Sequence, residues 1–129
     1  MILDKLIKDI ISLKEELNTV EDNATYENQY DWYQWAIPMG LIEYEYMGDK
    51  LVGFLEWMRL DYIPEDRNKV PLDYSQVLNG PIGFINNCGT TCAGVLKRLI
   101  KKAQDKNKDC KIYCWDRKKA GKFLIFRRS

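Results

Sequence analysis

The sequence predicts an α+β domain: an α/β/α sandwich on a mixed, mostly antiparallel sheet, with an N-terminal helix and one crossover helix. Three observations predict it. Residues 2–18 carry apolar side chains at helical spacing, while residues 39–60 form two apolar-rich segments joined by Gly48-Asp49. The second half then runs through "GPIGFIN", "CAGVLKRLIKKAQDK", "CKIYCWDR" and "KFLIFRR", which alternate as strand, helix, strand and strand. A strand–helix–strand unit with parallel strands crosses over right-handedly, which places its helix on one face of the sheet. With 129 residues, 46% of them hydrophobic and none in an internal repeat, the chain suits a single domain over residues 1–129.

Each element has its own signal. Leu3, Leu6, Ile7, Ile10, Leu13 and Leu17 lie on one face of the first helix, with Lys and Glu opposite. "NTVEDNATYENQYD" is polar and loop-like, with room for a short helical turn. Trp32, Tyr33 and Trp35 follow as an aromatic cluster, by default core, otherwise a ligand wall or a partner surface. In "MGLIEYEYM", Ile42, Tyr44 and Tyr46 share one face and Glu43 and Glu45 the other. "LVGFLEWMRL" is the second strand of the hairpin, and Gly48 supplies the positive φ its turn requires. Residues 61–79 have two prolines and no period, and read as a long loop. In the helix after "NNCGTT", Val95, Leu96, Leu99, Ile100 and Ala103 face inward, and Thr90 or Thr91 is the expected cap.

Charge is unevenly placed. Residues 1–66 hold 5 basic and 15 acidic residues, and residues 67–129 hold 15 basic and 4 acidic. The two nets, −10 and +11, sum to the overall +1. The basic half either forms a solvated face or meets phosphates. Charges interrupt the N-terminal apolar pattern throughout, so it predicts neither a signal peptide nor a membrane span, and a cytoplasmic protein without a membrane partner is expected. Cys88, Cys92, Cys110 and Cys114 give C-x3-C twice in a chain without histidine. Lys111, Ile112 and Tyr113 read as strand interior rather than a zinc knuckle, so free thiols are expected and no metal.

The hairpin "EYEYMGDKLVGFLEWMRL", followed by "GPIGFINNCGTTCAGVLKRLI" and "CKIYCWDR", resembles the GNAT superfamily of N-acyltransferases over about residues 36–128. There a long hairpin precedes a strand, a pyrophosphate-holding turn, a helix and a further strand. The resemblance implies acetyl-CoA or another acyl-CoA as co-substrate and an amine acceptor of unknown identity. It implies cofactor contacts from the strand edge Gly83, Phe84 and Ile85, and from backbone donors of Cys88, Gly89, Thr90, Thr91 and Cys92. The superfamily's turn carries an Arg or Gln that "NNCGTTCAG" lacks, and "KKAG" replaces the helix after the next strand. The result is similar to the compact branch that includes toxin-activating acyltransferases, although that branch uses a histidine.

Acyl transfer from a thioester to an amine needs a neutral amine and a donor for the oxyanion. Glu56, between apolar neighbours in "GFLEWMRL", is the candidate base if it faces inward, and a solvated carboxylate if it faces outward. Tyr113 is the candidate general acid, or else a half-buried structural tyrosine. Lys111, Tyr113, Trp115 and Arg117 share a strand face beside Arg127 and Arg128, a pattern that stacks bases and neutralises phosphates when exposed. Nucleic acid or protein is therefore the partner if the scaffold is a non-enzymatic binding or inhibitory module.

Overall fold

The computed structural model describes residues 2–66, 70, 80–117 and 123–127. Its elements are α1 (Leu3–Glu16), α2 (Tyr26–Ala36), β1 (Ile42–Met47), β2 (Lys50–Leu60), β3 (Ile82–Thr90), α3 (Val95–Lys106), β4 (Ile112–Asp116) and β5 (Phe123–Arg127). The strands form one sheet in the order β1-β2-β3-β4-β5. Only β3 and β4 are parallel, joined through α3, and every other pair is antiparallel. The architecture is the α+β arrangement expected from the sequence.

Helix α1 buries Leu6, Ile7, Ile10, Ile11 and Leu13. It stops where Asn18 turns left-handed at φ 57°. The Thr19 N–H then reaches the Lys14 carbonyl (2.9 Å) and the Asn18 N–H reaches that of Glu15 (3.2 Å), which satisfies two terminal carbonyls. Helix α2 lies where a polar loop was expected. Thr25 caps it by accepting from the Asn28 N–H at 3.0 Å, and Tyr33 and Ala36 enter the core. Its aromatics favour strands by propensity, and burial against α1 and the sheet overrides that preference.

The hairpin turns at Gly48 (φ 62°) and Asp49, with Met47 paired to Lys50. Side chains alternate across β2, so its neighbours report which layer covers each face. A Cβ on Gly53 would meet Val95 and Leu99 of α3, whereas Phe54 adjoins Gly89 under Leu17, just past α1. Helices α1 and α2 thus cover one face and α3 the other. Glu43 and Glu45 point to the α3 face, where Lys106 pairs with Glu43 and Arg98 with Glu45. Glu43 is buried and also accepts from the Trp57 indole at 3.2 Å.

Two boundaries in the second half differ from expectation. Strand β3 continues through "NNCGT" to Thr90, because residues 87–90 keep pairing with Glu56, Leu55, Phe54 and Gly53. Helix α3 then begins at Val95 after a left-handed Gly94, and neither Thr90 nor Thr91 caps it. The expected loops at 61–79 and at "KKAG" lie largely outside the described residues.

At Gly53 helix α3 packs directly on the sheet, and an added Cβ would stand 2.5 Å from a Val95 methyl. Gly53→Ala is expected to lower unfolding stability by about 1–3 kcal/mol through overpacking. Urea denaturation measures it, and an unchanged midpoint would contradict this packing.

Candidate ligand cleft

Strands β3 and β4 share only part of their length. Ile82–Ile85 pair with Ile112–Trp115, β4 ends at Asp116, and β3 runs on to Thr90. The β2–β3 register also shifts there: Glu56 faces Asn87 and Trp57 faces Ile85, which leaves Asn86 as an extra residue on β3. Such a bulge bends the strand and strengthens its local twist. Among the described residues no strand covers β3 beyond Ile85 on the β4 side.

The ladder fixes which backbone groups look outward. The Thr91 N–H donates to the Val52 carbonyl at 2.9 Å. Bonded and non-bonded pairs alternate along an antiparallel ladder, so Gly89 and Asn87 direct their backbone groups to β2. Cys88 and Thr90 direct theirs to the open side. The Cys88 N–H is taken by the Asn87 side-chain oxygen at 2.9 Å.

A cleft of about 770 Å³ opens along this edge. One wall is the connection Leu17–Asp22 between α1 and α2, the floor is Asn87–Thr90, and the far wall is Trp115–Arg117. Among the described residues, the charged side chains lining it are Glu21, Asp22, Asp116 and Arg117. The Arg117 guanidinium lies 5.6 Å from the Trp115 ring centre.

Behind the near wall sits a buried polar cluster. Lys14 is 1% exposed and Glu56 2% exposed. The Lys14 ammonium donates to both Glu21 oxygens at 2.9 and 2.8 Å, and lies 3.9 Å from Glu56. Glu56 in turn accepts from the Trp32 indole and the Tyr33 hydroxyl, each at 2.8 Å. The Asn87 amide donates to the Thr19 carbonyl at 3.0 Å and to Glu21 at 2.6 Å. Burial pushes the Glu56 carboxyl up, and Lys14, Tyr33 and Trp32 pull it partly back. Burial also opposes ionisation of Glu21, but Lys14 and Asn87 hold that carboxyl below its ordinary value.

This geometry corrects several expectations about the site. Glu56 faces inward and is desolvated, as a base would be, yet it lies behind the wall and does not line the cleft. Tyr113 is fully buried on the α3 face, where its hydroxyl donates to the Ala103 carbonyl at 3.4 Å. The two candidates for acid and base therefore stand on opposite faces of the sheet. Gly83, Phe84 and Ile85 are paired on both sides, with β2 and with β4, so they offer no free edge to a cofactor. Gly83 serves packing instead, since an added Cβ would meet the Tyr113 ring at 2.4 Å.

Cys88, Gly89 and Thr90 are strand residues whose amides alternate in direction, and the Thr91 N–H is bonded to Val52, so the amides of Cys88–Thr91 do not all turn to one space; Cys92 lies just beyond. A Cβ at Gly89 would meet Leu17 at 2.7 Å and Phe54 at 3.0 Å, which explains that glycine by packing. All four cysteines are free thiols, and burial pushes the Cys114 thiol up to about 11. Among the described residues no group of three or more His, Cys, Asp or Glu side chains could hold a metal ion. No helix there is long and apolar enough to cross a membrane.

The basic surface is also partly occupied. Arg98, Lys102 and Lys106 of α3 bond Glu45, the Tyr44 carbonyl and Glu43 of β1. On the face expected to stack bases, Tyr113 is buried and Lys111 bonds the Lys108 carbonyl, while Trp115 and Arg117 line the cleft. Arg128 lies outside the described residues.

Lys14, Glu21 and Asn87 were not among the residues singled out from the sequence. Lys14 had a legible signal. It stands four residues after Ile10 and seven after Ile7, on the apolar stripe of α1, where a lysine needs a buried partner. Glu21 and Asn87 carried none, because only the packing of the connection on β3 brings them together. No protein-family model matches the chain, and no curated protein is detectably similar to it.

A carboxyl raised by folding stabilises most while protonated, and that contribution is lost as pH rises through its folded-state value, here above 4.5. Glu56→Gln removes the ionisation and keeps an acceptor for the Trp32 indole, while its amide NH2 can donate to the Tyr33 hydroxyl oxygen. The melting temperature of Glu56→Gln relative to the parent is therefore expected to climb as pH rises above 4.5. A pH-independent difference would show that Glu56 ionises in the fold as freely as in water.

Proposed function

We propose that the cleft binds an acyl-CoA thioester and that the chain is an acyl-CoA-dependent N-acyltransferase-like protein acting on an amine. The observation that carries this reading is the parting of the parallel strands β3 and β4 beyond Ile85, with backbone groups of β3 turned to the opening. An extended arm with amide groups, such as the one linking the thioester to the nucleotide in CoA, adds to such an edge as a further strand does. The volume of about 770 Å³ is in the range of small-molecule sites. The carboxylates of Glu21, Asp22 and Asp116 favour a cationic acceptor, which an amine is before it loses its proton.

In the reaction, the neutral amine attacks the thioester carbonyl carbon. The C–S bond breaks as the amide C–N bond forms, and the CoA sulfur takes up the proton the amine gives away. Neither Glu56 nor Tyr113 reaches the cleft, so that proton travels through water or a lining carboxylate. Free thiols and a CoA co-substrate fit a cytoplasmic protein.

A second reading is a non-enzymatic binding or inhibitory module on a degenerate GNAT-like scaffold, contacting protein or nucleic acid. The separation of Glu56 and Tyr113 by the sheet, which prevents these two from acting as a paired acid and base, favours it.

Thr90→Pro discriminates between them. Its N–H points to the open side, so proline removes an edge donor while the β2 ladder survives. Isothermal titration with acetyl-CoA is expected to give saturable binding for the parent and at least about tenfold weaker binding for Thr90→Pro, with little change in melting temperature. If the parent gives no binding heat over a range of temperatures, the acyl-CoA reading falls and the binding-module reading stands.

A further inference from the structure

We propose that the connection Thr19–Ala24 is a strap over the open edge of β3, that Asn87 is its latch, and that the strap sets the width of the cleft. The inference rests on the cleft being the ligand site, but the strap can be measured without any ligand.

The strap is held in an unusual way. Its two ends belong to helix termini: Asn18 closes α1 in a left-handed conformation, and Thr25 caps α2. Its own backbone bonds are few. The Thr19 N–H reaches back to Lys14 and the Ala24 N–H to the Glu21 carbonyl at 3.1 Å. What ties it to the sheet is the Asn87 amide, which donates to the Thr19 carbonyl and to Glu21. Glu21 is fixed from the other side by Lys14. The Asn87 side chain is 3% exposed, and all three of its contacts join the strap to β3 or fix the edge itself at Cys88. Thr19, Glu21, Asn87 and Cys88 all line the cleft. Among the described residues the buried Thr19 hydroxyl has no partner, so the closed strap leaves one polar group at this wall unsatisfied.

Among the described residues, the charged and titratable groups around Glu21 are Lys14 on α1, Tyr33 on α2 and Glu56 on β2, with Asp22, Asp116 and Arg117 along the cleft. Lys14 is the cation that Glu21 shares with Glu56. Loss of the Asn87 donor therefore removes the strap's direct tie to β3 and leaves Glu21 attached to α1 alone.

Asn87→Asp isolates that tie. It keeps an oxygen for the Cys88 N–H and replaces the donor by a second oxygen, facing the Thr19 carbonyl and Glu21, where both contacts become repulsive. Native-state amide hydrogen exchange at neutral pH is the measurement. The amides of Thr19 and Ala24 are expected to exchange about tenfold faster or more, while those of β2 and α3 keep their protection. Unchanged exchange at Thr19 and Ala24 would overturn the latch. So would equal acceleration throughout the chain, since the strap would then open only with the whole fold. If Asn87→Asp does not fold, Asn87→Ala removes the same donor without adding a charge, and the same selective pattern is expected of it. Acetyl-CoA titration of the same variants separates the two ideas. Selective loosening with no acetyl-CoA binding by the parent would retire the ligand and leave the strap.

Discussion

Lys14 is the interaction on which this structure depends. A lysine ammonium 1% exposed is costly unless it is paired and fully bonded. Here it is met by two carboxylates, Glu21 beside it and Glu56 across from it, and by the face of Tyr33 at 5.1 Å. Those partners come from the α1–α2 connection, from β2 and from α2. The requirement to neutralise one charge thus fixes how the two helices and their connection sit on the sheet. Ion pairs of this kind add little net stability over apolar replacements, but removing one partner is expensive. The cluster is best understood as a positioning device rather than as a source of stability.

That positioning shapes the cleft. With Glu21 held inward, the connection runs along β3 just where β4 has ended and β3 continues. The bulge at Asn86 brings Asn87 opposite Glu56, so the side chain that binds the connection belongs to the same strand that offers its edge. The opposite face of the sheet follows a different logic. There the basic helix α3 lies over the acidic strand β1, and Arg98 and Lys106 meet Glu45 and Glu43. The opposite charges of the two halves of the sequence are in this way partly an internal complementarity, with Arg98 and Lys106 engaged by β1 carboxylates.

Much of the fold was legible because its signals are local. The apolar stripe of α1, Gly48 in the hairpin turn, and the inward face of α3 each follow from spacing and backbone preference. Helix α2 was obscured because Tyr and Trp favour strands, and only Thr25 and the acidic Glu27 in the first turn hinted at a helix. The end of β3 was obscured because "NNCGT" has the composition of a loop. What makes it a strand is pairing with Gly53–Glu56, more than thirty residues away in sequence. The site was less legible than the fold for the same reason. Glu56 was identifiable from its apolar neighbours, but its partners Trp32, Tyr33 and Lys14 come from two other elements. Tyr113 and Gly83 looked functional, and each is explained by the other's shape.

The central claim is that Lys14 and Glu56 act as one buried unit, so that the cost of losing one depends on the presence of the other. A double-mutant cycle of Lys14→Met and Glu56→Gln by urea denaturation at neutral pH tests it most directly. The account predicts a large loss of stability for Lys14→Met alone and a smaller one when Glu56 is already glutamine, with a coupling of about 0.5–3 kcal/mol. Equal losses in the two backgrounds would contradict it, because the lysine would then be stabilised by something other than the carboxylate it faces.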